Sequence, residues 1–441
     1  MNRTIRQTVM AICMLPMGIA AYAQQDTYLS LHDALEAASQ HNRQVQMSEL
    51  DRKIARANFH QTDAIFLPQV SVGYTALTTN NPLNAFGFLL QQENVTAADF
   101  DPAKLNHPGA SQHYNATAEV QMPLLNADLI FQRKGAKKQS EMYRYQAEYM
   151  KDYIRFEVQK AYTQLQFAYQ AQKVLHSTLH DVTQIYQTVQ NFYGQGLVQK
   201  SDVLNAQVQV NTVESALAKA ESSIIHASDA LALLMNRKDG QKGTVFRTDS
   251  LEQRFGMDTT PHFSLMRADV MAMQKALDAS DAMVRSAKMN FLPKINAFAN
   301  YQFNDAQIFR FQKDSYLAGI SLSWTLYSGN RNRSKLKAAT LQRDKMKMQL
   351  SEYTHKSRME IDKTHRDLKD LLIEIRKQET SVEQAAEALR ILNDRYSEGL
   401  VSTTDLLAAQ AQLSQQRLGL AQTIMNYNIT RYYQELLTTI K

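Results

Sequence analysis

The chain has 441 residues, with 49 Lys and Arg against 43 Asp and Glu, and only 14 Gly, 8 Pro and one Cys. The basic surplus is too small and dispersed to argue for a nucleic-acid partner. Beyond the first residues no run approaches the roughly 18 apolar residues of a helical membrane span, so any membrane crossing must be made by strands.

Residues 1–23 carry Arg3 and Arg6, an apolar run through Met10 to Leu15, and Ala21-Tyr22-Ala23. This is the pattern of a secretory signal peptide with an A-x-A cleavage site. Cys13 lies inside it, so the expected mature chain has no thiol, disulfide or lipid-modified cysteine.

Residues 24–236 read as one structural unit. A helix is predicted over about 30–66, strands over 67–77 and 114–124, a long helix from about Ala127 to Tyr193, a tip at 194–199, and a helix over 200–236. Residues 237–261, with Lys238-Asp239-Gly240 and Lys242-Gly243, read as an irregular connector with a short helix near Leu251. Residues 262–441 repeat the plan: a helix over 262–291, strands over 292–303 and 316–326, a helix over 329–396, a tip at 397–401, and a helix over 402–440.

The repetition is plainest at the tips. Residues 193–207 return as residues 396–410 with eight of fifteen positions identical, including Gly196-Leu197-Val198 against Gly399-Leu400-Val401 and Asp202 against Asp405. The sequence thus reads as an internal duplication, each copy carrying a tight reversal between two helices.

Apolar residues before the first tip recur at alternating spacings of four and three: Ile154, Val158, Ala161, Leu165, Ala168, then Leu175, Leu179, Val182, Tyr186, Val189 and Tyr193. That is a coiled-coil seam. Ile361, Leu368, Leu371, Ile375, Val382, Ala385, Leu389, Leu392 and Tyr396 form the corresponding seam, and Val203 to Leu234 a third. At ~1.5 Å per residue the longest helices span roughly 100 Å, matched by pairs of half-length helices end to end, which predicts a rod. On this signal alone a purely structural coiled coil is an open reading.

The four strands switch to a period of two. Val70, Val72, Tyr74 and Ala76 alternate with Gln69, Ser71, Gly73 and Thr75; Ile320, Leu322, Trp324 and Leu326 alternate with small or polar residues. Alternation fits a soluble sheet packed on one face and an outer-membrane barrel equally. Four strands cannot close a barrel and lipid tolerates no open edge, so the membrane reading requires several chains. Trp324, Phe66 and Phe291 near strand ends fit an interfacial aromatic girdle, and the long polar segment from Asn80 to Gly109, against the shorter Asn304 to Ser315, fits loops on one side of a barrel.

No catalytic constellation is present. His176 and His180 are four apart on a helix, but the residues between them include no glutamate and no third ligand is nearby, so a helix surface explains them better than a metal site. Gly194-x-Gly196 lacks the third glycine of a dinucleotide loop. The chain reads as neither an enzyme nor a cofactor or metal carrier. At the second tip Ser402-x-x-Asp405 is a capping-box variant; Asp202 and Asp405 are helix-start residues or, in a ring of identical chains, a ring of charge.

The two Gly-Leu-Val-x-x-x-Asp tips, the Phe66-Leu67-Pro68 and Phe291-Leu292-Pro293 junctions and the Leu326-Tyr327-Ser328-Gly329 strand exit together resemble outer membrane efflux proteins of the TolC family, over essentially the whole chain after the leader. The resemblance implies a mainly helical homotrimer in which each chain gives four strands to a twelve-stranded barrel in outer-membrane lipid. Coiled-coil helices continue the barrel as a periplasmic tunnel, met by a periplasmic adaptor and an inner-membrane pump. It implies a passive export duct of a tripartite efflux pump or a type I secretion system. Residue by residue, the family's aperture carboxylates fall on Asp405 and Ala408, and its tip-closing contacts on Asp202 and Tyr396, with Val401 where a basic residue is usual and Arg395 or Lys200 as substitutes. A carboxylate to phenol hydrogen bond from Asp202 to Tyr396 is expected, as are exposed apolar knobs at Leu197, Val198, Leu400 and Val401 for adaptor docking. A periplasmic adaptor or coiled-coil scaffold is the alternative, but adaptors usually carry one hairpin beside compact β domains, whereas this chain has two hairpins with strand pairs between helices.

Overall fold

The computed structural model describes residues 27–237, 245–253 and 262–439; the expected leader lies outside the described residues. In chain order the elements are β1 (Thr27–Tyr28), α1 (Leu31–His41), α2 (Arg43–Gln61), β2 (Gln69–Thr79), α3 (Pro82–Gln91), α4 (Pro102–Asn106), β3 (Ser111–Leu125), α5 (Ala127–Gly194), α6 (Lys200–Leu234), β4 (Phe246–Arg247), α7 (Ala268–Met289), β5 (Lys294–Asp305), β6 (Lys313–Ser323), α8 (Arg331–Ser397) and α9 (Thr403–Thr438). Two compact units are formed, one drawn from Met1–Leu35, Ala161–Glu252 and Gln378–Met425, the other from Glu36–Lys160, Gln253–Lys377 and Asn426–Lys441.

The second unit holds a four-stranded antiparallel sheet in the order β2-β3-β5-β6, so β2 and β6 are its edges. Its register aligns the predicted faces across all four strands. Val70, Val120, Ala299 and Ala318 lie in one row and Val72, Ala118, Tyr301 and Tyr316 in the next. The opposite face carries Ser71, Glu119, Asn300 and Leu317, then Gly73, Thr117, Gln302 and Ser315. Polar side chains on that face bond to one another, Asn115 Nδ2 donating to Asn304 Oδ1 at 2.7 Å and Gln302 Nε2 to Ser315 Oγ at 3.0 Å. On the apolar face Val72 is 80 % and Ile320 72 % exposed, while at one end Phe309 stacks on Tyr74.

Strand limits differ from the alternation-based expectation by up to about three residues. Leu67 is extended at φ −115°, ψ 144° because Pro68 follows it, but the ladder opens only at Gln69. At its far end β6 stops at Ser323, so Trp324 and Leu326 lie beyond it; alternation continues there without a ladder partner.

Three further expectations are corrected. The segment from Asn80 to Gly109 contains α3 and α4, each opened by Pro at its first position and capped by a side chain, Asn81 accepting from Asn84 N and Asp101 from Ala103 N. Turn residues there punctuate short helices, as capping chemistry allows. The helix predicted over 30–66 is broken at Asn42, whose Oδ1 accepts the amides of Gln44 at 2.9 Å and Val45 at 3.2 Å and so restarts it as α2. In the connector the described residues 245–253 form no helix, and β4 pairs in parallel with β1; residues 238–244 and 254–261 lie outside the described residues.

The first unit is built on the helical seams. Leu175 and Val182 of α5 pack against Val210, Val213, Leu217 and Ala220 of α6, with Leu179, Tyr186 and Leu418 at the margin. Burying each such Val or Leu stabilises by about 1.5–3 kcal/mol. The α8 seam is less complete: Val382, Ala385, Leu389 and Leu392, in this unit, are half-buried, while Ile361, Leu368 and Ile375, in the second unit, are buried. His176 and His180 are both exposed, and no metal-holding cluster occurs among the described residues.

Candidate functional site at the helical hairpin tips

Both tips lie in the first unit. Each long helix ends in the same backbone motif. At the first tip the amide of Gly196 bonds to Tyr193 O at 2.9 Å and that of Leu197 to Phe192 O at 2.9 Å. At the second, Gly399 bonds to Tyr396 O at 3.0 Å and Leu400 to Arg395 O at 3.0 Å. This is a Schellman termination, which needs a left-handed residue at the reversal. Gly196 at φ +76° and Gly399 at φ +73° supply it, and a side chain there is strained although space is open around both.

The chain then re-enters a helix through a cap. Ser402 Oγ accepts the amide of Asp405 at 3.1 Å and donates to Asp405 Oδ2 at 2.7 Å, as the capping-box reading requires. At the first tip Asp202 Oδ2 accepts the amide of Gln199 at 2.9 Å. Each carboxylate therefore sits in the positively polarised first turn of α6 or α9. Asp405 and Ala408 are both exposed.

A small core ties the two hairpins together. Ile185 and Val189 of α5, Ala206 of α6, Tyr396 of α8, and Leu406 and Leu407 of α9 form one buried cluster, with Phe192, Val198 and Val203 packed on it. The Phe192 and Tyr396 rings stack with centroids 5.6 Å apart. Leu197 is 66 % and Leu400 62 % exposed. Val198 and Val401 are half-buried and Val198 leans on the cluster, so Leu197 and Leu400 are the projecting knobs and the two valines are only partly so.

Tyr396 is where the sequence-based geometry needs correction. Its ring is buried and its hydroxyl bonds to Thr403 Oγ1 at 3.0 Å; the Asp202 carboxylate is bound to the Gln199 amide instead. Burial holds the phenol above its usual pKa, the Thr403 hydrogen bond works against that rise, and the nearby Asp202 charge adds to it. Asp202 thus acts on Tyr396 through its field. Tyr193, which matches Tyr396 in the sequence, is exposed, although the seam predicts burial, so the two tips are not equivalent. Thr403 was missed because its counterpart in the other tip is Lys200, which offers no hint of a phenol partner. Neither Arg395 nor Lys200 makes an ion pair among the described residues.

Beside the cluster runs a groove of about 640 Å³ between α5, α8 and α9, lined by Asp181, Thr188, Arg390, Tyr396, Gln410 and Arg417 among others. Gln410 is buried and donates to Asp181 Oδ2 at 3.0 Å, while Arg390 is held by Glu387 and Asp394, each at 2.8 Å.

The aromatic residues expected at a membrane interface are exposed where strands join helices: Phe66 53 %, Phe291 44 % and Trp324 57 %. Trp324 Nε1 donates to Phe291 O at 3.0 Å, fixing its ring at this junction. No helix is long and apolar enough to cross a membrane among the described residues.

A family profile described as "Outer membrane efflux protein" matches residues 34–237 and 265–436. The probable outer membrane lipoprotein SilC of Salmonella typhimurium is 22 % identical over 424 residues, spanning 90 % of this chain and 82 % of SilC. A crystal structure of CusC superposes with a TM-score of 0.80 at 16 % identity over 99 % of both chains. The outer membrane protein VceC of Vibrio cholerae gives 0.78 at 20 % identity, over 92 % of this chain and 96 % of VceC.

Proposed function

Because this chain belongs to the outer membrane efflux protein family, we propose that three copies assemble into an outer-membrane channel that serves a tripartite efflux pump as its passive exit duct. The sheet carries this reading. Among the described residues its edges β2 and β6 have no further strand partner, and on the face of the Val70 and Val72 rows Val70, Val72, Tyr316 and Ile320 are all exposed. Unpaired strand edges are not tolerated in lipid. Pairing β6 of one copy with β2 of the next around a threefold axis closes twelve strands, removes every edge, and turns the Val70 and Val72 rows outward and the Ser71 and Gly73 rows inward. The two helix-strand-strand-helix-helix runs are then duplicated halves, each supplying a hairpin tip at the periplasmic end.

At that end Leu197 and Leu400 are apolar anchors for a periplasmic adaptor, which couples the duct to an inner-membrane pump. Asp405, exposed in the first turn of α9, becomes one of three carboxylates ringing the aperture, and such rings favour cations. A type I secretion system would use the same duct. Similarity along nearly the whole chain to channel structures favours the channel over the adaptor alternative.

The test is to fractionate cells, cross-link, and reconstitute the protein into planar bilayers. A cross-linked trimer in the outer membrane with cation-preferring conductance, reduced in preference by Asp405→Ala, is expected. A monomer in the soluble periplasm, or no conductance, would refute the duct.

A further inference from the structure

The junction between strands and long helices exposes a band of large apolar side chains; Phe66, Leu67, Phe291, Leu292, Trp324 and Tyr327 are between 44 and 79 % exposed. Immediately after this band α8 begins, and its first two turns carry Arg331, Arg333, Lys335 and Lys337 with no acidic residue among them. All four are exposed, and none has an ion pair or side-chain hydrogen bond among the described residues.

This placement opposes the electrostatics of the helix. A helix N-terminus is positively polarised and favours carboxylates. The four other helices longer than twenty residues comply, with Asp128, Asp202, Asp269 and Asp405 in their first turns. In α8 four like charges instead repel one another and the helix dipole. Water and salt screen part of that repulsion because all four are exposed; an anionic surface against them would reverse it, and the adjacent apolar band points to a lipid surface.

We propose that the first two turns of α8 form a basic collar that binds the phosphate headgroups of anionic phospholipids in the periplasmic leaflet of the outer membrane. The inference rests on the barrel reading, which sets the band of aromatic residues at the lipid boundary. At ~1.5 Å per residue the four bases span about 9 Å of helix axis, comparable with a headgroup layer of roughly 5–8 Å. At 100° per residue Arg331 and Lys335 project from one side of the helix and Arg333 and Lys337 from nearly the opposite side. One pair therefore faces the leaflet, and long aliphatic stems let its charges reach the phosphates.

Trp324, the single tryptophan of the chain, reports on the site. The full-length protein is reconstituted in phosphatidylcholine bilayers containing the same fraction of either dibrominated phosphatidylglycerol or dibrominated phosphatidylcholine, and quenching of its fluorescence is read. Each basic residue near an anionic surface is worth about fivefold in local lipid concentration, so wild type should favour the brominated anionic lipid by about fivefold or more, less at high salt. R331Q/R333Q/K335Q/K337Q should abolish the preference, as should whichever of R331Q/K335Q and R333Q/K337Q faces the leaflet. K345Q/K347Q, further along α8, should leave it intact. Equal quenching by the two lipids in wild type, or a preference surviving in the fourfold variant, overturns the collar. Quenching by neither lipid places Trp324 outside the bilayer and overturns the barrel reading together with it. Should the fourfold variant fail to assemble, the two pair variants carry the same comparison.

Discussion

Arginine at position 320 tests the facing of the sheet directly. Ile320 pairs with Ala297, which pairs in turn with Met122, so the residue sits within the apolar face, 72 % exposed in the single chain. Its neighbour Ser321 pairs with Asn296 on the polar face. Arginine on the lipid face of a barrel costs about 2–4 kcal/mol at the bilayer midplane and close to nothing at the interface. β6 spans Lys313–Ser323, so position 320 lies about two residues past its centre. In the proposed barrel, at ~3.3 Å per residue and a tilt of ~40°, it would lie about 5 Å from the midplane, which puts the cost near 2–3 kcal/mol per chain. Three copies in one barrel would lose about 6–9 kcal/mol. The assay is urea-titrated folding into phosphatidylcholine vesicles, followed by Trp324 fluorescence and by the trimer band on unheated gels. Ile320→Arg should shift the folding equilibrium by about 30-fold or more per chain, whereas Ser321→Arg should stay within about 0.5 kcal/mol of wild type. Equal costs at the two positions, or a larger cost at 321, would refute the assigned faces and with them the membrane sheet.

Gly399→Ala should destabilise the first unit by about 1–2 kcal/mol, because alanine must adopt φ +73°; Gly194→Ala, inside the last turn of α5 with open space around it, should be neutral or stabilising, and thermal melts compare the two. Leu197→Asp with Leu400→Asp should abolish export while leaving trimer and outer-membrane amounts unchanged, scored by drug or substrate efflux beside immunoblots of membrane fractions. Tyr396→Phe should cost about 1 kcal/mol in melts through loss of the Thr403 hydrogen bond, and Asp202→Ala added to it should show little direct coupling. Alkaline stability should depend on Tyr162, which donates to Leu29 O at 3.0 Å and whose burial pushes its pKa up from 10.0 to about 12. The folded state holds this proton more tightly than the unfolded state, so the contribution is complete below pH 10 and lost as pH rises from 10 towards 12. Tyr162→Phe should flatten that part of the stability curve.

Much of the architecture follows from local pattern. A change of period from about 3.5 to two locates the four strands of the larger sheet to within a few residues, since one side chain in two must face each surface of a sheet whatever packs on it; the two-residue strands β1 and β4 are too short to show a period. The same parity places Val70, Val120, Ala299 and Ala318 in one row. Gly196 and Gly399 mark helix reversals because only a left-handed residue completes the terminating hydrogen bonds, and Ser402 with Asp405 marks the restart because a cap is satisfied within four residues. These are short-range constraints, so they are written in short stretches of chain.

What only the tertiary structure decided involves partners far apart in sequence or competition between local signals. Asn42, an unremarkable polar residue in a helical run, caps α2 because its side chain captures two amides, and the turn-rich segment after β2 contains α3 and α4 because its prolines and asparagines start helices as readily as they end strands. Tyr193 and Tyr396 occupy matching positions in a repeated sequence, yet one is exposed and the other buried, since burial depends on whether Phe192, Leu406 and Leu407 converge on the ring. The partner of the Tyr396 hydroxyl, Thr403 in place of Asp202, was settled by the same packing: the Asp202 carboxylate is bound to the start of its own helix, and Thr403 is brought within 3.0 Å by the turn that Gly399 makes possible. A repeat in sequence determines the same backbone twice; which of its two copies acquires a buried contact depends on the three-dimensional neighbours, and those differ.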